Sequence, residues 1–240
     1  MDKKKVLLLG TGRTFMNIFA RLFLEFNVHY ESPLQDGAKI FTPNHPTTSD
    51  PFLLSLVTQE PLIILVNQRV LQLPLVGSLI KHAGTIPVDK EGGNGKETIS
   101  RAIDLLKDNF PIGIFLEGRL SPEVQTIADA HTGAVRIAMQ AHAPIFPVGI
   151  YLHKQSVKRI RFHTRFGLDE SRWIFRGKYF VTVGSPFYFH GNVENRNLVQ
   201  SSTHKVAEEI RRLILSSEKR ATQKNIAWKP LIPFASQNFK

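Results

Sequence analysis

The chain has 240 residues, with 31 Lys+Arg against 20 Asp+Glu and 42% hydrophobic residues. That length and composition fit one α/β domain with at most a small appendage, and they exclude a disordered chain. With no cysteine present, a disulfide framework, a thiolate nucleophile and a Cys-ligated metal or cluster are excluded as well.

The chain opens with KKKVLLLGTGRT, in which Gly10 and Gly12 follow an apolar run as in a dinucleotide-binding turn. Phe15 stands where the third glycine belongs, and no acidic residue follows in a strand context about 20 positions on, so nucleotide binding is not expected here. The same glycines cut the apolar core that a signal peptide would need. No stretch offers the roughly 20 mostly apolar residues of a membrane span. From Thr14 to Asn27, Phe15, Ile18, Phe19, Leu22, Phe23 and Phe26 recur at steps of three and four. That spacing predicts an amphipathic helix whose apolar stripe lies either in the domain core or in a bilayer interface.

Further along, Lys39–Pro43 reads as a short strand running into the turn Asn44–Pro46. Asp50 followed by Pro51 reads as an N-cap and first helical residue. Strands are expected at Leu62–Val66 and Thr85–Val88, with a helix over Gln68–Lys81 broken near Pro74. Lys96–Asn109 is an amphipathic helix, Pro111–Leu116 a strand ending at Glu117, and His131–His142 a helix. Ile145–Tyr151 and Lys178–Val183 read as strands and Asn197–Ser217 as a long amphipathic helix, while the basic stretch between them reads as a solvated loop and strand edge. Strands alternating with helices of this length predict an α/β fold: a mixed, mostly parallel sheet flanked by helices, with an N-terminal amphipathic helical segment. The expected division is a membrane-associating segment at 1–30, an α/β domain at 31–220 and a basic tail at 221–240.

The net charge of +11 is unevenly spread. Residues 1–30 carry +3, residues 154–180 carry +6 and residues 205–240 carry +5, whereas residues 31–153 carry −3. A basic excess of this size suits nucleic acid, an anionic membrane surface or phosphorylated substrates. Arg159, Arg161, Arg165, Arg172 and Arg176, interleaved with Phe162, Phe166, Trp173, Phe175 and Phe180, are the best support for nucleic acid.

The chemistry points elsewhere. Asn44-His45-Pro46-Thr47-Thr48-Ser49-Asp50 sets a histidine and an aspartate five positions apart across a strand-to-helix turn. A histidine held at one ring nitrogen by a carboxylate offers the other as a general base. Phe115-Leu116-Glu117-Gly118-Arg119-Leu120-Ser121 places a glutamate, a flexible glycine and an arginine at a strand's carboxyl end, where Arg119 could fork onto phosphate or carboxylate oxygens and Glu117 could accept hydrogen bonds from a polyol.

In order, NHPTTSD, GTIPVDK at residues 84–90, FLEGRLS at 115–121 and APIFPVGI at 143–150 resemble the four blocks of the glycerolipid acyltransferases typified by 1-acyl-sn-glycerol-3-phosphate acyltransferase. The resemblance covers about residues 35–190. It implies His45 as the general base on the acceptor hydroxyl, with Asp50 orienting it. It implies Lys90, Glu117, Gly118 and Arg119 as the acceptor's glycerol-phosphate site, with Pro144 and Pro147 shaping its wall. The co-substrate would be an acyl-CoA or acyl carrier protein thioester, with no metal and no other cofactor. Partners would be membrane lipid, an anionic membrane surface and an acyl carrier protein, not nucleic acid, with the protein peripheral on the cytoplasmic face. Three positions depart from the pattern: Leu116 replaces a proline, Arg119 comes one place early, and Lys90 replaces an arginine. A nucleic-acid-binding protein and a non-catalytic lipid-binding module are the rival readings.

Overall fold

A computed structural model describes residues 3–67, 86–88, 95–164 and 167–223. Helix α1 (Lys3–Phe23) runs directly into strand β1 (Leu24–Tyr30), which is followed by β2 (Ile40–Pro43), α2 (Asp50–Leu54), β3 (Ile63–Asn67) and β4 (Ile86–Val88). Next come α3 (Gly95–Lys107), β5 (Ile112–Gly113), α4 (Gly133–Ala141) and β6 (Ile145–Leu152). Strands β7 (Val157–Thr164), β8 (Gly167–Ile174) and β9 (Gly177–Val183) precede the long helix α5 (Arg196–Thr222).

Seven strands form one sheet in the order β1-β9-β6-β2-β5-β3-β4. Neighbours are parallel except β6 and β9, which run antiparallel. This is the mixed, mostly parallel α/β architecture that the alternation of strands and helices predicts. Alternate residues of the buried strands feed two cores, as the twofold period of a strand requires. Phe41, Ile64, Phe146, Val148, Ile150, Tyr179 and Val181 face one cluster, against which Met16 and Phe19 of α1 and Phe52 and Leu53 of α2 pack. Ile40, Ile63, Leu65, Ile112 and Ile145 face the other, with α3, α4 and α5. At Gly149 of β6 a Cβ would lie 2.2 Å from the backbone carbon of Leu213, so only glycine lets α5 rest on the sheet there.

Four expectations change. The amphipathic helix ends at Phe23, because Leu24 and Phe26 point into the core and Leu24–Tyr30 pairs with β9 in parallel register. Phe26 therefore belongs to the sheet, and the segment 1–30 is not helical throughout. The strand expected at 111–116 is regular only over Ile112–Gly113, with ladder bonds reaching from the Pro111 carbonyl to the Ile114 amide, before the chain leaves the ladder to make the turn at Gly118. The stretch around 157–174, expected as a solvated loop and strand edge, is an antiparallel two-stranded ribbon, β7–β8, separate from the main sheet. Asp50 is not the N-cap of α2: Ser49 holds that position without a side-chain capping bond, and Asp50 lies inside the first turn. The helix expected over Gln68–Lys81 lies outside the described residues.

Gly10 and Gly12 sit within α1 and not in a turn after a strand, which removes the geometry a pyrophosphate would need. No helix among the described residues is long and apolar enough to cross a membrane.

Candidate active site

The site stands at the carboxyl ends of the adjacent parallel strands β2 and β5, where open α/β sheets leave a crevice for ligands. Beyond Pro43, the Asn44 side chain takes over the ladder: its Nδ2 donates to the Ile150 carbonyl at 3.0 Å and its Oδ1 accepts from the Ile150 amide at 2.7 Å. The next residue, His45, is thereby delivered at the end of a rigid strand.

His45 Nδ1 lies 3.0 Å from Asp50 Oδ2. Asp50 is completely buried, and a buried carboxylate is tolerable only when its lone pairs are filled. They are. Oδ2 also accepts from the Thr47 amide at 2.7 Å, and Oδ1 accepts from the Thr47 hydroxyl at 2.5 Å and the Tyr179 hydroxyl at 2.9 Å. Burial, and then the Asp50 charge, push the Tyr179 phenol well above its ordinary value, so it stays a donor. The carboxylate thus has one orientation, which places the imidazole proton on Nδ1 and leaves Nε2 as an acceptor. The imidazole also stacks on Phe115, with ring centroids 4.0 Å apart, and its side chain retains 16% exposure.

Glu117 departs from its expected part. It is 1% exposed. Its Oε1 accepts from the His45 amide at 3.0 Å and the Ser121 hydroxyl at 2.7 Å, and its Oε2 accepts from the Ala128 amide at 2.8 Å. Both oxygens are therefore committed to the chain itself, and Glu117 ties the 117–128 loop to the histidine backbone instead of facing a polyol. Ser121 completes the tie, because its amide donates to the His45 carbonyl at 2.8 Å. Gly118 adopts φ 58°, a left-handed conformation that favours glycine in the turn. Arg119 follows it on the surface, exposed and without a hydrogen bond or ion pair among the described residues. Lys90 lies outside the described residues. The structure thus brings His45, Asp50, Glu117 and Gly118 together and leaves Arg119 at the rim.

Fold and geometry together describe a histidine–carboxylate pair on strand-end loops of an α/β sheet. A sequence model of the Acyltransferase family matches residues 25–151, more than half of the chain. The chain belongs to the Acyltransferase family. Its fold is also similar to the crystal structure of the 1-acyl-sn-glycerophosphate (LPA) acyltransferase PlsC from Thermotoga maritima, with a TM-score of 0.58 and 20% identity over 85% of this chain and 79% of that one. No curated protein matches the chain. As an acyltransferase, the protein has its His45 and Glu117 loops within the matched region, whereas the β7–β8 ribbon, β9 and α5 lie beyond it.

Several side chains that fix this acyltransferase's site are invisible to local spacing. Tyr179 reaches Asp50 from 129 residues away. Arg172 of β8 donates from Nη1 to the Ser121 carbonyl at 2.7 Å and from Nη2 to the Pro122 carbonyl at 3.2 Å. Its backbone bonds Thr48 in both directions, accepting from the Thr48 amide at 2.7 Å and donating to the Thr48 hydroxyl at 3.1 Å. Thr47 and Ser121 lay within motifs that the sequence singles out, but nothing in those motifs distinguishes them as partners of Asp50 and Glu117. Among the described residues no group of His, Asp or Glu could hold a metal ion.

Proposed function

We propose that the protein transfers a fatty acyl group from an acyl-CoA or acyl carrier protein thioester to the free hydroxyl of a glycerol-phosphate lipid, with lysophosphatidic acid going to phosphatidic acid. The observation that carries this reading is the His45–Asp50 pair, with Nδ1 fixed at 3.0 Å from a fully buried carboxylate. His45 Nε2 takes the proton from the acceptor hydroxyl as its oxygen attacks the thioester carbonyl. The C–S bond then breaks, the thiolate leaves with the proton from the imidazolium, and an ester remains. A thioester is already activated, so the step asks for no covalent enzyme intermediate. Gly118, Arg119 and Lys90 are assigned to the acceptor's phosphate side, and Glu117 to holding the loop that carries Gly118 and Arg119.

The same reading places the protein peripherally on the cytoplasmic face of a membrane. Phe15, Ile18, Leu22 and Phe23 of α1 are exposed by 65%, 52%, 70% and 52%, whereas Ala20 is buried and Met16 and Phe19 pack on the core. The apolar stripe is thus divided, with one side holding α1 to its domain and the other available to a bilayer interface.

The test is purified protein supplied with acyl-CoA or acyl carrier protein thioester and a panel of glycerol 3-phosphate, lysophosphatidic acid and other lysophospholipids. Thiol release should depend on the acceptor and be fastest with lysophosphatidic acid; release that ignores the acceptor would reject the assignment.

A further inference from the structure

The β7–β8 ribbon carries a charge cluster that the acyl-transfer chemistry leaves unused. Cross-strand register sets Arg159 opposite Arg172 and Arg161 opposite Glu170, and directly opposed pairs two residues apart share one face of a ribbon. All four side chains meet there. Glu170 has its carboxylate 3.0 Å from Arg172 Nε, 3.6 Å from Arg159 Nη1 and 3.5 Å from Arg161 Nε. The Arg172 bond first, and then the neighbouring charges of Arg159 and Arg172, hold the Glu170 carboxyl below its ordinary value, so it is ionised at neutral pH. Among the described residues, three guanidiniums around one carboxylate leave an excess of two positive charges.

The arginines are not equivalent. Arg172 is 11% exposed and occupied by the Ser121 and Pro122 carbonyls, so it acts as the post of the cluster. Arg159 and Arg161 are 46% and 69% exposed, and their forks are available at the surface. The post stands on the catalytic loops: Arg172 bonds Thr48, three residues from His45, and Ser121, whose amide bonds the His45 carbonyl. The described cluster is cationic, held in place by Glu170 and joined through Arg172 to the loops that carry His45 and Ser121. Guanidinium forks match the geometry and charge of phosphate oxygens.

We propose that Arg159 and Arg161, braced by Glu170 and Arg172, form a binding site for the phosphate group of a substrate at the rim of the catalytic loops. Which substrates are present rests on the acyl-transfer reading; the anion site itself does not. The phosphate has two possible sources, the acceptor lipid or the carrier portion of the acyl donor.

Kinetics of the full-length Arg159→Gln/Arg161→Gln variant in neutral-detergent mixed micelles separate them. One arm compares lysophosphatidic acid with monoacylglycerol as acceptor, and the other compares acyl-CoA with a phosphate-free acyl thioester as donor. In the arm that supplies the phosphate, KM should rise about ten- to a hundredfold for the phosphate-bearing member alone, with kcat within about twofold, as expected for losing charge-assisted hydrogen bonds. Arg159→Lys/Arg161→Lys should recover part of the loss, because charge is kept without the fork. Calorimetric titration of both proteins with glycerol 3-phosphate and with CoA gives a readout free of turnover. Weaker binding in the glutamine variant, in a protein showing no acyl transfer, would uphold the site and reject the transfer reading. Equal losses for phosphate-bearing and phosphate-free members, or unchanged binding and KM, would overturn the site.

Discussion

The His45 and Glu117 loops and the basic periphery use polar side chains in opposite ways. At Asp50, Glu117 and Ser121 the polar atoms are buried and directed at one another and at His45, so a single geometry satisfies them. Along α1 and the β7–β8 ribbon, apolar and cationic side chains are exposed: Phe15 and Leu22 on the helix, Ile160 and Phe175 at 48% and 52% on and beside the ribbon, with Arg159 and Arg161. The first region holds the His45 imidazole in one orientation. The second remains open to a surface or a substrate. Burial makes each polar contact expensive to lose, whereas exposure makes each charge individually weak and useful only in numbers.

The largest separation between the two regions comes from His45→Ala. Turnover should fall by about 10²–10⁴ while the thermal midpoint stays near that of the wild type, because the ring is at the surface of the network. Near-normal turnover would place the base elsewhere. Asp50→Ala should lower turnover less but destabilise more, by about 2–5 kcal/mol in denaturant titration. The reason is the set of donors from Thr47, Tyr179 and His45 that would be left facing a void, and not the loss of a helix cap. Tyr179→Phe tests the same network from its far side. It removes one hydrogen bond to a buried charge, costing about 1.5–3 kcal/mol, with a matching fall in kcat if Asp50 then turns away from His45. Unchanged kcat would show that Thr47 alone orients the carboxylate.

In the periphery the effects should be smaller for the fold and selective in location. Replacing Phe15, Ile18, Leu22 and Phe23 together by Ser should release the protein from anionic vesicles in flotation, with the thermal midpoint shifted by no more than a few degrees. Continued flotation would move the membrane contact away from α1. The smallest effect is at Glu170. Its carboxyl is depressed in the folded state, so its contribution to stability is complete above the unfolded value and lost as pH falls through the folded one. Glu170→Gln should therefore flatten the acid side of the stability profile, and a slope identical to the wild type would assign that loss to other carboxylates.

Much of this molecule was legible along the chain. Alternating apolar strands and amphipathic helices define the α/β class, because burial on both faces of a parallel sheet leaves continuous apolar runs such as Ile145–Leu152. His45 and Asp50 were legible because their spacing spans a single strand-to-helix turn. Phe26 misled because a period of three and four continues for one more step past the helix end, and only pairing with β9 decides that Leu24–Tyr30 is a strand. Glu117 could be named from its motif, but not the direction of its carboxylate, which depends on His45 lying across the sheet edge. Tyr179 and Arg172 had no local signal at all.

The sequence by itself determined the elements that short-range periodicity and turn chemistry control, together with the histidine and carboxylate that one loop brings together. Tertiary structure decided which polar groups are sealed against water and which remain open. That choice depends on contacts between residues more than a hundred positions apart, as between Tyr179 and Asp50 or Arg172 and Thr48, and such contacts exist only once β9 and the β7–β8 ribbon have packed against the His45 loop.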